Sequence, residues 1–430
     1  MTVYSGPNNF TAYTGEACTL VKQPNMSSLP AHNSDDAIMN SLRDILLTSC
    51  KYCMSRMDAC ASSVRSYTSY DGQHKYGARP AGESLSGVSV AMATGIYDAD
   101  IIGMSQDEAF AKCENCVKEM WTKYKACEAA SAESWYYDWQ AASWAAAYAR
   151  AVWFLWNDLS GTNKRGSAYV VEAEANRILN EYETEYWNAL DGDSKGETVA
   201  WNAEILQIAQ AMMPQHENVH LWRAKEIEME LASLSRPSDL INTTIIEGKA
   251  ISSWINGYNV PETGNLINHS IIHPDYMQSC IMFLQQAKLV YQYSALSAPT
   301  SCNYHCEAQW QVLTSTDWNG GVYEAPGGTI YAADGSYHLY YPEGNNWSDN
   351  DIRQDIYLLA DVYALKSDWN SNVNASAEDW ILSRITQIAA MQARHDDGHM
   401  FAAGEFDLFY EREQFTCYLL ADAYLAYRGL

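Results

Sequence analysis

The densest set of groups able to move protons lies between residues 265 and 276. The run Asn265-Leu-Ile-Asn268-His269-Ser270-Ile-Ile-His273-Pro274-Asp275-Tyr276 holds an Asn, two His, an Asp and a Tyr from Asn268 onward. Pro274 suits the first turn of a helix, where its missing N–H has no intrahelical partner to lose. The group therefore falls at a helix N-terminus, where backbone N–H groups favour an anion. Such a set suits proton abstraction beside a carboxylate: Asn268 neutralises the acid, His269, His273 or Tyr276 takes the proton, and Tyr276 protonates the leaving oxygen. The plainer alternative is a capped helix whose His and Asn satisfy loop carbonyls. So many titratable groups in one non-helical stretch tip the balance toward function.

Two further clusters bear on a substrate. In Tyr340-Tyr341-Pro342-Glu343-Gly344-Asn345-Asn346-Trp347, aromatic rings stand beside Glu and Asn as they do on a sugar-binding rim, with Tyr341 or Trp347 as a stacking platform. A solvated turn with one buried aromatic weighs equally. Trp201-Asn202-Ala203-Glu204 lies at the start of a helix with Glu197 just upstream, and His395-Asp-Asp-Gly-His399 lies near the end with Glu405. Separated carboxylates also serve inverting glycosidases, but no spacing here selects a pair. His395 and His399 have the spacing of a metal pair, yet Gly398 between them makes a turn the better reading. No metal or other cofactor is expected. There is no Gly-x-Ser-x-Gly, phosphate-binding loop or dinucleotide fingerprint.

Asn268-His269 followed by a Tyr, on a helical scaffold rich in Trp and Tyr, resembles the Asn, His and Tyr sets of the α/α toroid polysaccharide lyases of the alginate and heparinase lyase type. The resemblance implies β-elimination on a uronic-acid polysaccharide, with Asn268 neutralising the uronate, His269 as base and Tyr276 as acid or base. In those lyases the Tyr comes from a different helix, so Tyr337, Tyr340 and Tyr341 compete with Tyr276 for the role. The substrate-contact set is Trp201, Asn202, Glu204, Tyr340, Tyr341, Glu343, Asn346, Trp347, Arg353 and His399, with Arg353 and Lys249 the nearest cations. An inverting glycoside hydrolase is the first alternative, and a non-enzymatic carbohydrate-binding or structural module the second.

These groups need a scaffold, and composition bounds it. Hydrophobic residues at 47% and charged residues at 19% of 430 allow a well-buried core. The net charge of −26 repels phosphate backbones and anionic lipid, so neither nucleic acid nor a membrane is expected as partner, and an acidic ligand needs a locally basic pocket. The most apolar stretch, Ser143 to Trp156, is interrupted by Arg150, short of the roughly 18 apolar residues of a membrane span. The 30 Tyr and 15 Trp against 8 Phe favour rings with a polar edge, which line sugar clefts or fill helix seams. Met1 to Phe10 has neither region of a secretory leader, so either the chain is intracellular or a start Met has replaced a leader. The expectation of an extracellular protein, with its leader removed, rests on the Asn-x-Ser/Thr sequons, Asn268 and Asn346 among them, and on the cysteines.

Cys50, Cys53 and Cys60 mirror Cys113, Cys116 and Cys127. If the two segments are antiparallel helices, Cys50 faces Cys116 and Cys53 faces Cys113, because both pairs share one index sum. Two disulfide rungs are expected, with a four-cysteine metal site or free buried thiols as rivals. The first 33 residues read as an extended arm, Asp35 to about Ala61 as a helix, and Ser66 to Asp98 as a Gly- and Ser-rich loop. A capping box at Ser105 starts another helix. Further helices follow over Ala132–Asp158, Tyr169–Leu190, Glu197–Met213, Asn218–Leu234, Pro274–Leu296, Ile352–Asp368, Ala377–Ala393 and Glu411–Tyr427. Short connections and no strand periodicity predict one all-α domain over 34–430, an α/α toroid of helical hairpins with an open solenoid as alternative. Inserts at 240–272 and 316–350, with hairpin turns near Glu247-Gly248 and Asp334-Gly335, are expected to gather at one rim and build the cleft.

Overall fold

A helix packed on every side has no solvent-facing stripe, and the inner helices of this chain are buried almost all round. The computed structural model describes residues 15–64, 77–124, 135, 139–187, 192–405 and 412–430. Within them, α1 (Glu16–Leu20) is a short leading helix and α4 (Ala99–Ile102) a single turn. Six helices form an inner ring: α3 (Ala78–Ala93), α6 (Ala141–Phe154), α8 (Gly196–Met212), α10 (Pro274–Gln292), α12 (Gln354–Lys366) and α14 (Arg412–Gly429). Each packs on the next, and α14 returns to α3, so the ring closes. Outside it lie α2 (Ala37–Ser62), α5 (Gln106–Lys123), α7 (Gly161–Glu181), α9 (Val219–Ser233), α11 (Cys306–Ser315) and α13 (Ala377–Gln392). The fold is all-α, a closed α/α toroid. No helix among the described residues is long and apolar enough to cross a membrane.

The expected loop over Ser66–Asp98 is instead largely α3, a member of the inner ring; residues 65–76 lie outside the described residues. Its Gly and Ser serve close approach rather than chain reversal. A Cβ on Gly82 would sit 2.9 Å from the Trp144 carbonyl oxygen, and one on Gly87 would collide with Cys417. Ser84, Ser86 and Ser89 are fully buried. Helix boundaries elsewhere shift by a few residues, most at α7, which runs from Gly161 rather than Tyr169. The arm's residues 1–14, most of the segment leading into α6, residues 188–191 and Glu411 lie outside the described residues. Residues 15–33 carry α1 and one turn of 3-10 helix, Met26–Ser28, rather than a fully extended chain.

The disulfide expectation is overturned: every described cysteine is a free thiol, while Cys127 lies outside the described residues. The helices α2 and α5 do pack together. Cys50, however, turns to Cys417 of α14, with the sulfurs 3.7 Å apart, and burial raises the thiols of Cys53, Cys113 and Cys116. Cys50 and Cys53 are small apolar fillers where α2 meets α14, and Cys113 and Cys116 fill the α5 side of α2.

The inserts behave as two kinds of loop. In the first, β1 (Ile245–Ile246) pairs antiparallel with β2 (Lys249–Ala250) at the expected turn, and β3 (Ile267–Asn268) pairs with β4 (Ile271–Ile272) around His269-Ser270. Both turn residues have positive φ, 52° and 65°. This is the left-handed geometry that matches a tight hairpin to strand twist and is strained for residues other than Gly. In the second insert only Tyr331 and Leu339 form a bridge.

Candidate active site

In the toroid the N-terminal turns of the inner helices meet at one rim. There they enclose a cavity of about 230 Å³. Its wall is built from first-turn residues: Arg79 of α3, Ser143 and Trp144 of α6, Glu197 of α8, Tyr276 of α10 and Arg412 of α14. Met282 and Phe283, two turns further down α10, form its floor, and Trp139, Gln140, Trp201, Ser279, Phe415, His269 and Trp347 complete it. Five inner helices thus aim their N-terminal ends at one space, which favours negative charge there.

The two inserts meet at the mouth. The Ile272 N–H donates to Glu343 Oε2 at 2.6 Å, and the Ser270 N–H to Asp193 at 3.1 Å, which fix the β3–β4 turn. His269, carried on that turn, places Nδ1 3.1 Å from Asn346 Oδ1 and Nε2 3.2 Å from the Tyr276 hydroxyl. The amide oxygen accepts only, so Nδ1 donates to it, and in the neutral imidazole Nε2 is left with a lone pair facing Tyr276. Trp347 stacks on Tyr276, with ring centroids 5.3 Å apart, and the guanidinium groups of Arg353 and Arg412 lie 5.1 and 5.3 Å from the Trp347 ring centre.

The electrostatics of the cavity are set by burial and like charge. Burial pushes the Glu197 carboxyl up to about 8, against weaker pulls from Thr198, Lys195 and Arg79, so it is neutral at pH 7. Burial, with Glu197 and Asp275 adding to it, also raises Tyr276, whose hydroxyl keeps its proton throughout the neutral range. Arg412 is pulled well down by burial, then by the charges of Arg353 and Arg79. Beneath the floor the barrel axis is polar and filled: Ser143 and Tyr418 hydrogen-bond the two oxygens of Glu204, and Arg150 pairs with Asp422 and lies over Tyr418.

Of the residues singled out from sequence, the cavity gathers His269, Tyr276, Trp201 and Trp347, with Asn346 and Glu343 holding the His269 turn. The others stand elsewhere. Asn268 spends its amide oxygen on the His269 N–H at 2.8 Å and is buried. His273 is fully buried edge-on against Tyr276, its ring nitrogens lack a hydrogen-bond partner, and burial lowers its pKa to about 4. It buttresses the Tyr276 ring.

Tyr341 donates to Asp275 and Tyr340 to the Glu324 carbonyl, so neither they nor Tyr337 lines the cavity. Asn202 donates to the Thr198 carbonyl; Glu204 lies under the floor; Arg353 is fully buried with its Nε on Asp355. Lys249 stacks on Trp254. His399 pairs with Asp397 and stacks on His395 away from the cavity. No group of three potential metal ligands is gathered among the described residues.

Sequence reasoning passed over Arg79, Arg412, Trp139, Trp144, Phe283 and Phe415, and weighed Glu197 only as an upstream neighbour. The signal that could have found them is positional: each of Arg79, Glu197 and Arg412 is a charged residue in the first turn of a helix whose other residues are almost all buried. No protein-family model, curated protein or solved structure matches this chain.

Proposed function

We propose that the protein cleaves a uronic-acid polysaccharide by β-elimination in this cavity. The observation that carries the reading is the contact of the His269 Nε2 lone pair with the protonated Tyr276 hydroxyl, inside a wall that also holds Arg79 and Arg412. Arg412 is buried and Arg79, paired with Glu83, is partly buried; the two guanidinium groups repel one another, which favours an anion that reaches both in a chain of net charge −26. The aromatic wall suits the apolar face of a sugar.

The chemistry then balances as follows. Arg79 and Arg412 hold the uronate carboxylate, and neutral Glu197 adds a hydrogen bond as the carboxylate becomes an enolate. His269 Nε2 takes the C5 proton, the C4–O4 bond breaks as the C4–C5 double bond forms, and the Tyr276 hydroxyl gives its proton to the departing oxygen. The imidazolium returns a proton to the phenolate across their hydrogen bond, which restores both groups. The role expected of Asn268 thereby passes to the arginines.

The test is the ultraviolet absorbance of unsaturated uronate during incubation with uronic-acid polysaccharides. His269→Ala is expected to lower the rate about 10²–10⁴-fold, the usual worth of a general base; full activity in that variant would sink the assignment. A second reading is favoured by Glu197 alone, since a neutral carboxyl is also the general acid of a glycoside hydrolase. It requires new reducing ends without the absorbance.

A further inference from the structure

The cavity is a pit on the barrel axis rather than a groove across the rim. Its walls come from five of the six inner helices, with Trp347 of the second insert beside them, and its floor is closed by Met282 and Phe283, with the Glu204 and Arg150–Asp422 contacts filling the axis below. At about 230 Å³ it is smaller than the roughly 300–1,000 Å³ that encloses a drug-sized ligand, and holds about one pyranose ring. A polysaccharide cannot pass through it. Trp139, 58% exposed and set edge-on to Trp201 at 5.2 Å, offers the next ring a stacking face at the mouth.

We infer that the pit admits only the terminal sugar of the chain, and that this terminus is the reducing one. The second half rests on the β-elimination reading. Elimination breaks the C4–O4 bond of the sugar that carries the carboxylate, so with that sugar in the pit, the rest of the chain, attached through O4, leaves by the mouth. Its C1 side meets the closed floor and has no room for another unit. One unsaturated monouronate is released per turnover, and the shortened chain presents a new reducing end with the same chemistry.

The test compares oligogalacturonates and oligoalginates with free reducing ends against the same oligomers reduced with borohydride, which opens the terminal ring. The expected result is stepwise loss of single units from the free-ended set, resistance of the reduced set, and slow loss of viscosity with polymer. Rapid loss of viscosity, or cleavage of reduced oligomers into mixed sizes, would overturn the inference while leaving elimination intact. If no absorbance develops on any substrate, elimination fails, and titration calorimetry decides the pit by itself. Affinity that stops rising beyond the dimer supports one buried ring with one at the mouth, and affinity that climbs through the tetramer refutes it.

Discussion

At the scale of single residues, the site is a case of unlike groups held in complementary states. His269 has its tautomer set by Asn346, Tyr276 keeps its proton through burial, and Glu197 is neutral for the same reason. The last of these carries a pH prediction whose sign is fixed. Glu197 is uncharged below about 8 and ionises above it, and the new charge would face the substrate carboxylate. Activity is expected to fall as pH rises through about 8, and Glu197→Gln, which cannot ionise, should lose that alkaline limb while retaining activity at pH 7. Profiles of kcat/KM against pH for the two proteins check it; an unchanged limb in the variant would assign it to another group.

At the scale of elements, what the sequence made legible and what it hid follow from the same physics. Outer helices such as α2, α5 and α13 were readable because side-chain caps mark their starts, as Ser105 and Glu108 do at the start of α5, and most of the inner ones because their long apolar runs carry helix-forming residues. The helix α3 was not, because Gly and Ser in ARPAGESLSGVSVAMA carry the composition of a loop while their packing is that of a core. The β3–β4 hairpin was hidden too, since His269-Ser270 is not the Asn-Gly or Asp-Gly pair that announces such a turn. The chemistry of residues 268–276 and 340–347 was visible as two clusters, but their meeting depends on contacts such as Ile272 to Glu343 that join residues 71 apart.

Gly87 gives the test of why α3 looks as it does. Gly87→Ala would push a methyl group into Cys417 Sγ and lies 3.0 Å from the Cys417 carbonyl oxygen, at the seam where α3 and α14 close the ring. The expected cost is about 1–3 kcal/mol, the usual range for overpacking. Thermal denaturation reads it as a lower Tm, and an unchanged Tm would mean that the seam is looser than the structure has it.

At the scale of the molecule, buried acids make stability depend on pH in an uncommon direction. Burial raises Glu197, Glu204 and Glu413 to about 8, above the usual carboxylate range. A group whose folded pKa is raised stabilises the fold fully below its unfolded pKa and loses that contribution as pH climbs through the folded value. Stability is therefore expected to decline between about pH 4.5 and 8, and Glu204→Gln should flatten the decline. Melting temperatures across that window measure both; a Tm that rises over it would place the protons elsewhere.

The charge of the whole molecule also sets how a polyanion reaches the pit. Two fields oppose each other: the −26 surface repels the approaching chain over a distance set by the Debye length, while Arg79 and Arg412 attract it only at contact. That length falls from about 30 Å at 0.01 M salt to about 8 Å at 0.15 M, so salt removes the repulsion first and leaves the buried contacts less affected. For the β-elimination proposed above, kcat/KM on a polyuronate should rise between those salt concentrations and flatten beyond, with kcat nearly constant because the bound state is shielded. A monouronate glycoside, carrying one charge, should show much less of the rise. A steady fall with salt for the polymer would mean that long-range attraction guides the chain, and that the rim around the pit is basic enough to outweigh the rest of the surface.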